Sequence, residues 1–358
     1  NLDFEVSSRF SSDSFPEVSP LRRVVGRLRF RLSASLYLFR ALNFYDVIFF
    51  NWTTSFLPFN LDYPLYRIAG QRLIVRHCGD DVRYRPLQHG IHKHFGVYQW
   101  QGARRSDVEM WSKFLRQIWA ERFAVVLSTR DHATFQIGPL GMRPYVQREL
   151  PKTIGFGSPE PLILHAPSDP RIKGTSVVEG AAEILRSDGA IFRLKILSGA
   201  SHDLVIKALA DAAIVVDQPG AVPARFAVEA MASGCSVVGG NVQEIHGLSG
   251  VPIIQFKSDP ISLAGVLQES LDDMSKAATL GQSSRLYVLD NFSSQAFRIF
   301  FASVLEGTYE RFLPLEDHCK LLRQEAETLS ERLAIGLLER LQSRARSPLP
   351  TTPCHAKS

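Results

Sequence analysis

The chain has 358 residues, of which 45% are hydrophobic and 22% are charged, and its formal net charge is +5. This composition excludes a disordered or fibrous protein, and the length accommodates two globular domains of ordinary size. No apolar run reaches the roughly 18 residues that a membrane-spanning helix needs. The four cysteines include no C-x-x-C pair, which argues against a disulfide framework or a zinc ribbon.

The first part of the chain alternates short apolar runs with helical patterns, which is the signature of βαβ units. Strands are predicted at Asp3–Val6, Asp46–Phe50, Arg72–His77 and Phe123–Ser128. Helices are predicted between them, at about Leu21–Leu42, Tyr63–Gly70 and Val108–Glu121.

The Leu21–Leu42 helix is rich in arginine and contains no acidic residue. Its apolar residues recur at 3-4 spacing, and the last of them are Leu32, Leu36 and Phe39. Such a helix can lie on an anionic membrane surface. It can equally cover the sheet with this apolar stripe buried, because every doubly wound domain needs such helices.

Prolines and glycines punctuate residues 151–161 and predict a linker between two domains. The Gly155-Phe-Gly157 triplet within it superficially suggests a dinucleotide-binding fingerprint. The third glycine is absent and no strand precedes the triplet, so we interpret it as a hinge.

The second part of the chain repeats the alternation more clearly. Strands are predicted at Leu162–His165, Phe192–Leu197, Ala213–Val216, Ser236–Val238 and Pro252–Gln255. Helices are predicted at about Thr175–Arg186, Ser201–Ala210, Ala224–Ser233, Pro260–Asp273, Met274–Leu289 and Ser294–Phe312. Ser201 and Asp259 are suitable N-cap residues, and Gly189 and Gly234 are suitable helix ends.

The C-terminal region has a 4-3 apolar spacing between Leu315 and Leu333. This pattern is short for a coiled coil, so it predicts helical structure that packs against the body of the protein. The Pro-, Thr- and Ser-rich residues 347–358 are expected to be disordered.

The most informative motif lies between Val215 and Gly240, where a buried strand, a Pro/Gly turn, a short helix and a second buried strand follow one another. The helix contains the block Glu229-Ala-Met-Ala-Ser-Gly234, in which Glu229 is a carboxylate among small apolar residues. This block resembles the donor-sugar motif of the retaining glycosyltransferases of family 4, which have the GT-B architecture. That family's pattern ends in Glu-Ala-Met-Ala-x-Gly-x-Pro-Val.

The resemblance implies an α/β fold with two Rossmann-like doubly wound domains that face each other across a cleft. An acceptor-side domain is expected at residues 1–155 and a nucleotide-sugar-binding domain at 156–312, with its final helices crossing back to the first. Residues 313–358 would form a helical extension and a tail. No glycine-rich loop precedes Asp3–Val6 and the chain begins at Asn1, so the first domain is expected to lack its N-terminal strand.

Two segments of the second domain carry the expected donor site. Lys173-Gly174 follows a buried strand and precedes a helix, which makes an anion site, and Arg171 lies in the same loop. The resemblance places the donor diphosphate at this Lys-Gly pair and the nucleotide ribose at Glu229. The alternatives are a solvated loop lysine and a helix-surface acid paired with Arg225.

The family's donor motif has a further glutamate eight positions before the ribose residue, and here that position is Ala221. Asp217 and Gln218 lie nearby and are candidates to replace it. This departure leaves the sugar identity and the activity open.

In the first domain, the segment from His77 to Arg83 resembles the family's His-Gly-Ser-Asp-Val-Arg loop, which faces the cleft. Gly79, Asp81 and Arg83 match this loop, and the histidine position falls on Cys78, one residue after His77. His77 is therefore either catalytic or a core histidine, since adjacent strand residues point to opposite faces. Asp81 and Arg83 are either cleft residues or a structural pair.

A metal site is not expected, although three histidines, His89, His92 and His94, lie close together in the sequence. No nearby carboxylate accompanies them, and the resembled family needs no bound divalent ion. The resemblance thus implies no metal and no cofactor, with a nucleotide-sugar as the donor substrate.

The resemblance implies a hexosyltransferase-like enzyme that transfers a sugar from a nucleotide-sugar to a glycan or lipid-linked acceptor with retention of configuration. We expect a role in polysaccharide biosynthesis and a cytoplasmic location, peripheral on the inner face of the plasma membrane, and no nucleic-acid partner. A non-catalytic GT-B-like binding or scaffold protein and a sugar-nucleotide epimerase remain alternatives. A Rossmann dehydrogenase is disfavoured because no G-x-G-x-x-G sequence is present.

Overall fold

The computed structural model describes residues 33–51, 55–57, 60–77, 81–82, 84–87, 104–127, 150–170, 173–218, 225–239, 251–307 and 318–345. Within these residues the strands form two parallel sheets, one from each half of the chain. The α/β architecture predicted from the alternating pattern is confirmed. None of the described helices is both long and apolar enough to cross a membrane.

The first sheet has the strand order β1-β2-β3. Its strands are β1 (Val47–Asn51), β2 (Arg72–Arg76) and β3 (Val125–Leu127). Its helices are α1 (33–44), α2 (Tyr63–Ile68) and α3 (Asp107–Phe123). All three helices contribute to one apolar cluster with β1, β2 and β3, so they cover the same face of the sheet.

The second sheet has the order β5-β4-β6-β7-β8. Its strands are β4 (Leu162–His165), β5 (Arg193–Ile196), β6 (Ala212–Val216), β7 (Ser236–Gly239) and β8 (Ile254–Gln255). Every residue of β4, β6 and β7 is buried, as expected for parallel strands that are covered on both faces. The chain passes from β4 to β5 on one side and then to β6 on the other, so the topological switch point lies between β4 and β6.

Helices cover both faces of the second sheet. They are α4 (Thr175–Ser187), α5 (His202–Leu209), α6 (Arg225–Ser233), α7 (Pro260–Asp272) and α8 (Met274–Asn291). One face packs against Val178 of α4 and Leu263 of α7. The other packs against Met231 of α6 and Val288 of α8. This arrangement makes the ends of β4 and β6 the natural place for a ligand.

The chain then returns to the first sheet. Helix α9 (Ser294–Glu306) buries Val304 against Ile74 and Leu127, on the face opposite to α1–α3. Helices α10 (His318–Glu325) and α11 (Leu329–Ala345) pack against α3. Arg105 Nη1, just before α3, bonds Glu331 Oε1 of α11 at 2.5 Å, and this carboxylate is fully buried. A buried carboxylate without its arginine would raise the free energy of the folded state, so the pair helps to hold α11 in place.

Sequence signals at the helix ends correspond to the observed ends. The side chains of Ser201 and Asp259 accept bonds from the backbone N–H groups of Leu204 and Ser262, so both N-cap predictions are confirmed. Strand β4 has the predicted bounds, and most other elements differ from prediction by one or two residues. Phe123 is an exception, because it ends α3 and packs on Trp119 at 4.8 Å instead of starting a strand.

The hinge interpretation of Gly155–Gly157 is wrong. This segment forms a short 3-10 turn bound to the second domain, with the Thr153 N–H donating to Ser233 O at 2.8 Å and the Ile154 N–H to Ala210 O at 2.9 Å. Gly155 is buried, and a Cβ there would lie 2.5 Å from Ala213 N. The glycine is needed here for the close approach to β6.

Two further expectations are corrected by the packing. The C-terminal apolar pattern gives two helices instead of one continuous face, and Leu329 and Leu333 are 73% and 55% exposed.

In α1 the residues that face the core are Ala41 and its neighbours, whereas Leu36 is 71% exposed. The buried-stripe alternative is therefore wrong for this part of the helix. The predicted strand Asp3–Val6 and residues 21–32 and 346–358 lie outside the described residues.

Candidate functional site

A pocket opens at the carboxyl ends of β4 and β6, at the topological switch point of the second sheet. It is lined by His165, Ala166, Pro167, Ser168, Lys173, Asp217, Gln218, Arg225 and Phe226. The last residue of β4 is His165, and Asp217 and Gln218 directly follow β6. Three residues of the predicted donor site, Lys173, Asp217 and Gln218, are thus brought together. The other cation predicted in the β4–α4 loop, Arg171, lies outside the described residues.

Lys173 is held inside this pocket. Its ammonium group donates to Gln218 Oε1, which is a neutral acceptor at the end of β6. Burial lowers the pKa of Lys173, and the negative charge of Asp217 opposes this shift. The solvated-lysine alternative is therefore disfavoured, because a loop lysine in water would be neither partly buried nor bound to a side chain of the neighbouring strand.

Helix α4 begins at the same place. Gly174 is its N-cap with a φ of 67°, a left-handed conformation that favours glycine, and no side chain caps the helix. The partial positive charge of a helix N-terminus adds to that of Lys173. The part of the pocket around Lys173, at the start of α4, is thus suited to an anionic group.

His165 joins the two strand ends that form the pocket. Its Nδ1 lies 2.9 Å from Val216 O on β6, and its Nε2 lies 3.1 Å from Thr175 Oγ1 on α4. A carbonyl oxygen only accepts, so Nδ1 carries the proton and Nε2 accepts from the threonine hydroxyl. Burial lowers the pKa of His165, which keeps the ring neutral. The histidine is therefore a fixed connector, whereas its sequence pattern indicates only the end of a strand.

Glu229 lies on α6, one turn after Arg225, and is not among the residues that line the pocket. Its side chain is only 8% exposed, so Glu229 is not the surface acid of the alternative interpretation. The pairing with Arg225 that this alternative included is present. Arg225 Nε and His202 Nε2 each lie 2.9 Å from the same carboxylate oxygen, Oε1. Since both partners in the described part of the chain use Oε1, Oε2 is available there as an acceptor. His202 opens α5 and had no motif to mark it in the sequence.

The first-domain loop is only partly described. His77 is 1% exposed and its Nδ1 lies 3.9 Å from Asp81 Oδ2, and Gln117 Nε2 donates to the neighbouring Val82 O at 2.8 Å. This burial favours the core-histidine alternative for His77 over the catalytic one. Gly79 and Arg83 lie outside the described residues, as do His89, His92 and His94. The described part of the chain contains no group of three or more potential metal ligands.

Comparison with solved structures identifies the architecture. The sucrose-phosphate synthase of Thermosynechococcus elongatus superposes with a TM-score of 0.53 at 15% sequence identity, over 82% of this chain and 80% of that chain. The fold is that of GT-B proteins. The predicted GT-B fold class, with two Rossmann-like sheets, is confirmed.

Two other solved structures are more distant. HepE of Anabaena, determined in complex with UDP and glucose, has a TM-score of 0.48 at 15% identity over 76% of this chain and 81% of that chain. The putative UDP-N-acetylglucosamine 2-epimerase of Listeria monocytogenes has a TM-score of 0.44 at 12% identity, over 82% of each chain. No protein-family model and no curated protein matches the sequence.

Proposed function

We propose that this protein is a retaining glycosyltransferase that binds a nucleotide-sugar donor in the pocket between β4 and β6. One observation carries the proposal: a partly buried lysine, Lys173, lines the pocket at the start of α4, and the buried carboxylate of Glu229 is bonded to another lining residue, Arg225. This pairs an anion site with a hydroxyl-binding carboxylate, which are the two groups that a nucleoside diphosphate needs. The GT-B fold and the resemblance of residues 229–234 to the family's donor motif support the same assignment.

In the proposed reaction the donor diphosphate lies against Lys173 and the start of α4. The bond between the sugar C1 and the diphosphate oxygen breaks, and the acceptor oxygen bonds C1 on the same face. The acceptor proton passes to the departing diphosphate, so atoms and charges balance without a covalent enzyme intermediate. Negative charge grows on the diphosphate during this step, and Lys173 and the helix N-terminus are already oriented to stabilise it.

Glu229 is assigned to the ribose of the nucleotide. Its Oε2 atom accepts from a ribose hydroxyl while Oε1 stays bound to Arg225 and His202. A carboxylate makes charge-assisted bonds to hydroxyl groups, and the low exposure of Glu229 excludes competing water. The carboxylate is thus already oriented before the ligand arrives.

We also propose a glycan or lipid-linked acceptor and a peripheral location at the inner face of the plasma membrane. Leu36 and Phe39 of α1 are 71% and 65% exposed and continue from the arginine-rich residues 21–32. Exposed apolar side chains beside arginines match the chemistry of an anionic membrane surface.

The test is incubation of the purified protein with UDP-, GDP- and ADP-sugars and measurement of nucleoside diphosphate release, with and without lipid-linked acceptors. Acceptor-dependent release with the anomeric configuration retained supports the proposal. Tight nucleotide binding without release from any donor would instead indicate the non-catalytic binding protein, an alternative raised by Ala221. Failure to bind any nucleotide would refute the site.

A further inference from the structure

Arg225 connects the two parts of the proposed donor site, and the sequence motif did not assign it to either. It is the first residue of α6, it lines the pocket that contains Lys173, and its Nε binds the Glu229 carboxylate. From this position we infer that Arg225 is a diphosphate-binding residue, whose guanidinium group holds Glu229 with Nε and the donor phosphates with its two Nη groups. This inference rests on the proposed function.

The geometry of the guanidinium group favours this double role. An arginine has five N–H donors in a rigid planar arrangement, and Nε uses one of them on Glu229. No other bond to the guanidinium is present among the described residues, and the Arg225 side chain is 64% exposed. Its four remaining donors are therefore accessible from the pocket, and two of them match the spacing of phosphate oxygens.

Balancing the charge of a nucleoside diphosphate in this pocket requires a second cation. The cations among the described lining residues are Lys173 and Arg225. The charge of Lys173 is partly balanced by Asp217, and one of its three donors is bound to Gln218. A departing nucleoside diphosphate carries more negative charge than one such lysine balances. Arg225, at the start of a different helix, supplies the additional positive charge.

A simple helix-surface pair does not account for the arrangement. Exposed i,i+4 pairs stabilise a helix only weakly and do not require a buried acid. Glu229 already has a second partner, His202, at the same distance from Oε1. His202 is not among the pocket-lining residues. Substitutions of the two partners of Glu229 therefore separate two effects on ligand binding. Loss of His202 acts only through the carboxylate, whereas loss of Arg225 also removes the proposed contact with phosphate.

The experiment measures binding of UDP, GDP and ADP and of their monophosphates by calorimetry, to the wild type and to R225Q, H202Q and R298Q. The measured quantity is the ratio of the monophosphate Kd to the diphosphate Kd. Arg225→Gln should lower this ratio about tenfold, the size expected for loss of one charge-assisted contact. His202→Gln should leave the ratio unchanged even if it weakens both ligands. Arg298→Gln, which removes an exposed arginine of α9, is the charge-matched control and should change nothing.

Two results would overturn the inference. An unchanged ratio in R225Q means that Arg225 does not contact the terminal phosphate, which is the group that distinguishes the diphosphate from the monophosphate. An equal fall in R225Q and H202Q means that both residues act through Glu229. If the wild type binds none of the three nucleoside diphosphates, the proposed function itself fails, a result distinct from either of these.

Discussion

His165 Nδ1 donates to Val216 O at 2.9 Å and thereby ties the end of β4 to the end of β6 at the mouth of the pocket. The same ring accepts from Thr175 Oγ1 through Nε2, so one neutral histidine joins two strands and the first turn of α4. The ring is neutral in this arrangement because burial disfavours the charged form and lowers the pKa of His165, and a protonated Nε2 would donate to Oγ1 instead of accepting from it.

The stability of the fold should therefore depend on the protonation of His165. Burial places its folded-state pKa below the ordinary value of 6.5, so below that pH the unfolded chain binds the proton more readily. The stabilisation is fully present above pH 6.5 and is lost as the pH falls from 6.5 through the folded-state pKa.

His165→Asn, which does not titrate, tests this dependence. At about pH 8 the wild type should be more stable by about 1–3 kcal/mol, since the variant loses a buried hydrogen bond. The difference should shrink toward about pH 5, as measured by denaturant unfolding. A difference that stays constant across this range would contradict the assignment.

Lys173→Ala tests the anion site. The variant should weaken binding of nucleoside diphosphate and reduce turnover by about a hundredfold, because the lost charge stabilises the departing diphosphate most strongly. Lys276→Ala, which removes an exposed lysine of α8, is the matched control. Unchanged affinity and rate in K173A would remove Lys173 from the site.

Glu229→Gln tests the ribose assignment. The amide preserves the shape, so melting temperature should change little, whereas nucleotide affinity should fall about tenfold because an amide oxygen makes weaker bonds than a carboxylate. Calorimetry with the nucleoside alone and with its diphosphate should show the same loss. Wild-type affinity in E229Q would place the ribose elsewhere.

Gly281→Ala tests the contact between α8 and the end of α6. A Cβ at Gly281 would clash with Gly234 O and lie 3.0 Å from Gly234 C, so backbone must move. We expect a loss of about 1–3 kcal/mol in the free energy of unfolding. Gly265→Ala in α7 meets nothing within 4 Å and should instead stabilise by about 0.5–1 kcal/mol. Equal effects of the two substitutions would show that the contact is looser than described.

Liposome sedimentation tests the membrane proposal. The protein should bind anionic but not neutral vesicles, and high salt should release it. Replacing Leu36 and Phe39 together by serine should weaken this binding. Replacing Leu286 of α8, which is 63% exposed, by serine should leave vesicle binding unchanged. No binding to anionic vesicles at low salt would leave α1 a structural helix only.

The sequence was sufficient for much of the architecture, because strand burial and helix capping depend on residues that are close in the chain. Continuous apolar runs marked β4 and β6, and Ser201 and Asp259 marked helix starts that the structure confirms. Lys173 was recognised in the same way, since a strand, a polar loop and a helix start are consecutive.

Contacts between distant segments decided the rest. Whether Gly155 is a hinge or a buried contact depends on β6, more than fifty residues later in the chain. The C-terminal apolar spacing did not reveal that Leu329 and Leu333 face outward, because the partner surface on α3 selects which side of α11 is buried.

The sequence by itself determined that the chain alternates strands and helices in two parallel sheets and that Lys173 and Glu229 follow strands of the second. Only the tertiary structure brought His202 to Glu229, and His165 and Arg225 to the pocket that contains Lys173. Their side chains come from different elements, and polar residues at strand and helix ends have no periodic pattern. Their convergence follows from the order in which parallel strands pair, and this order is set by packing across the whole sheet.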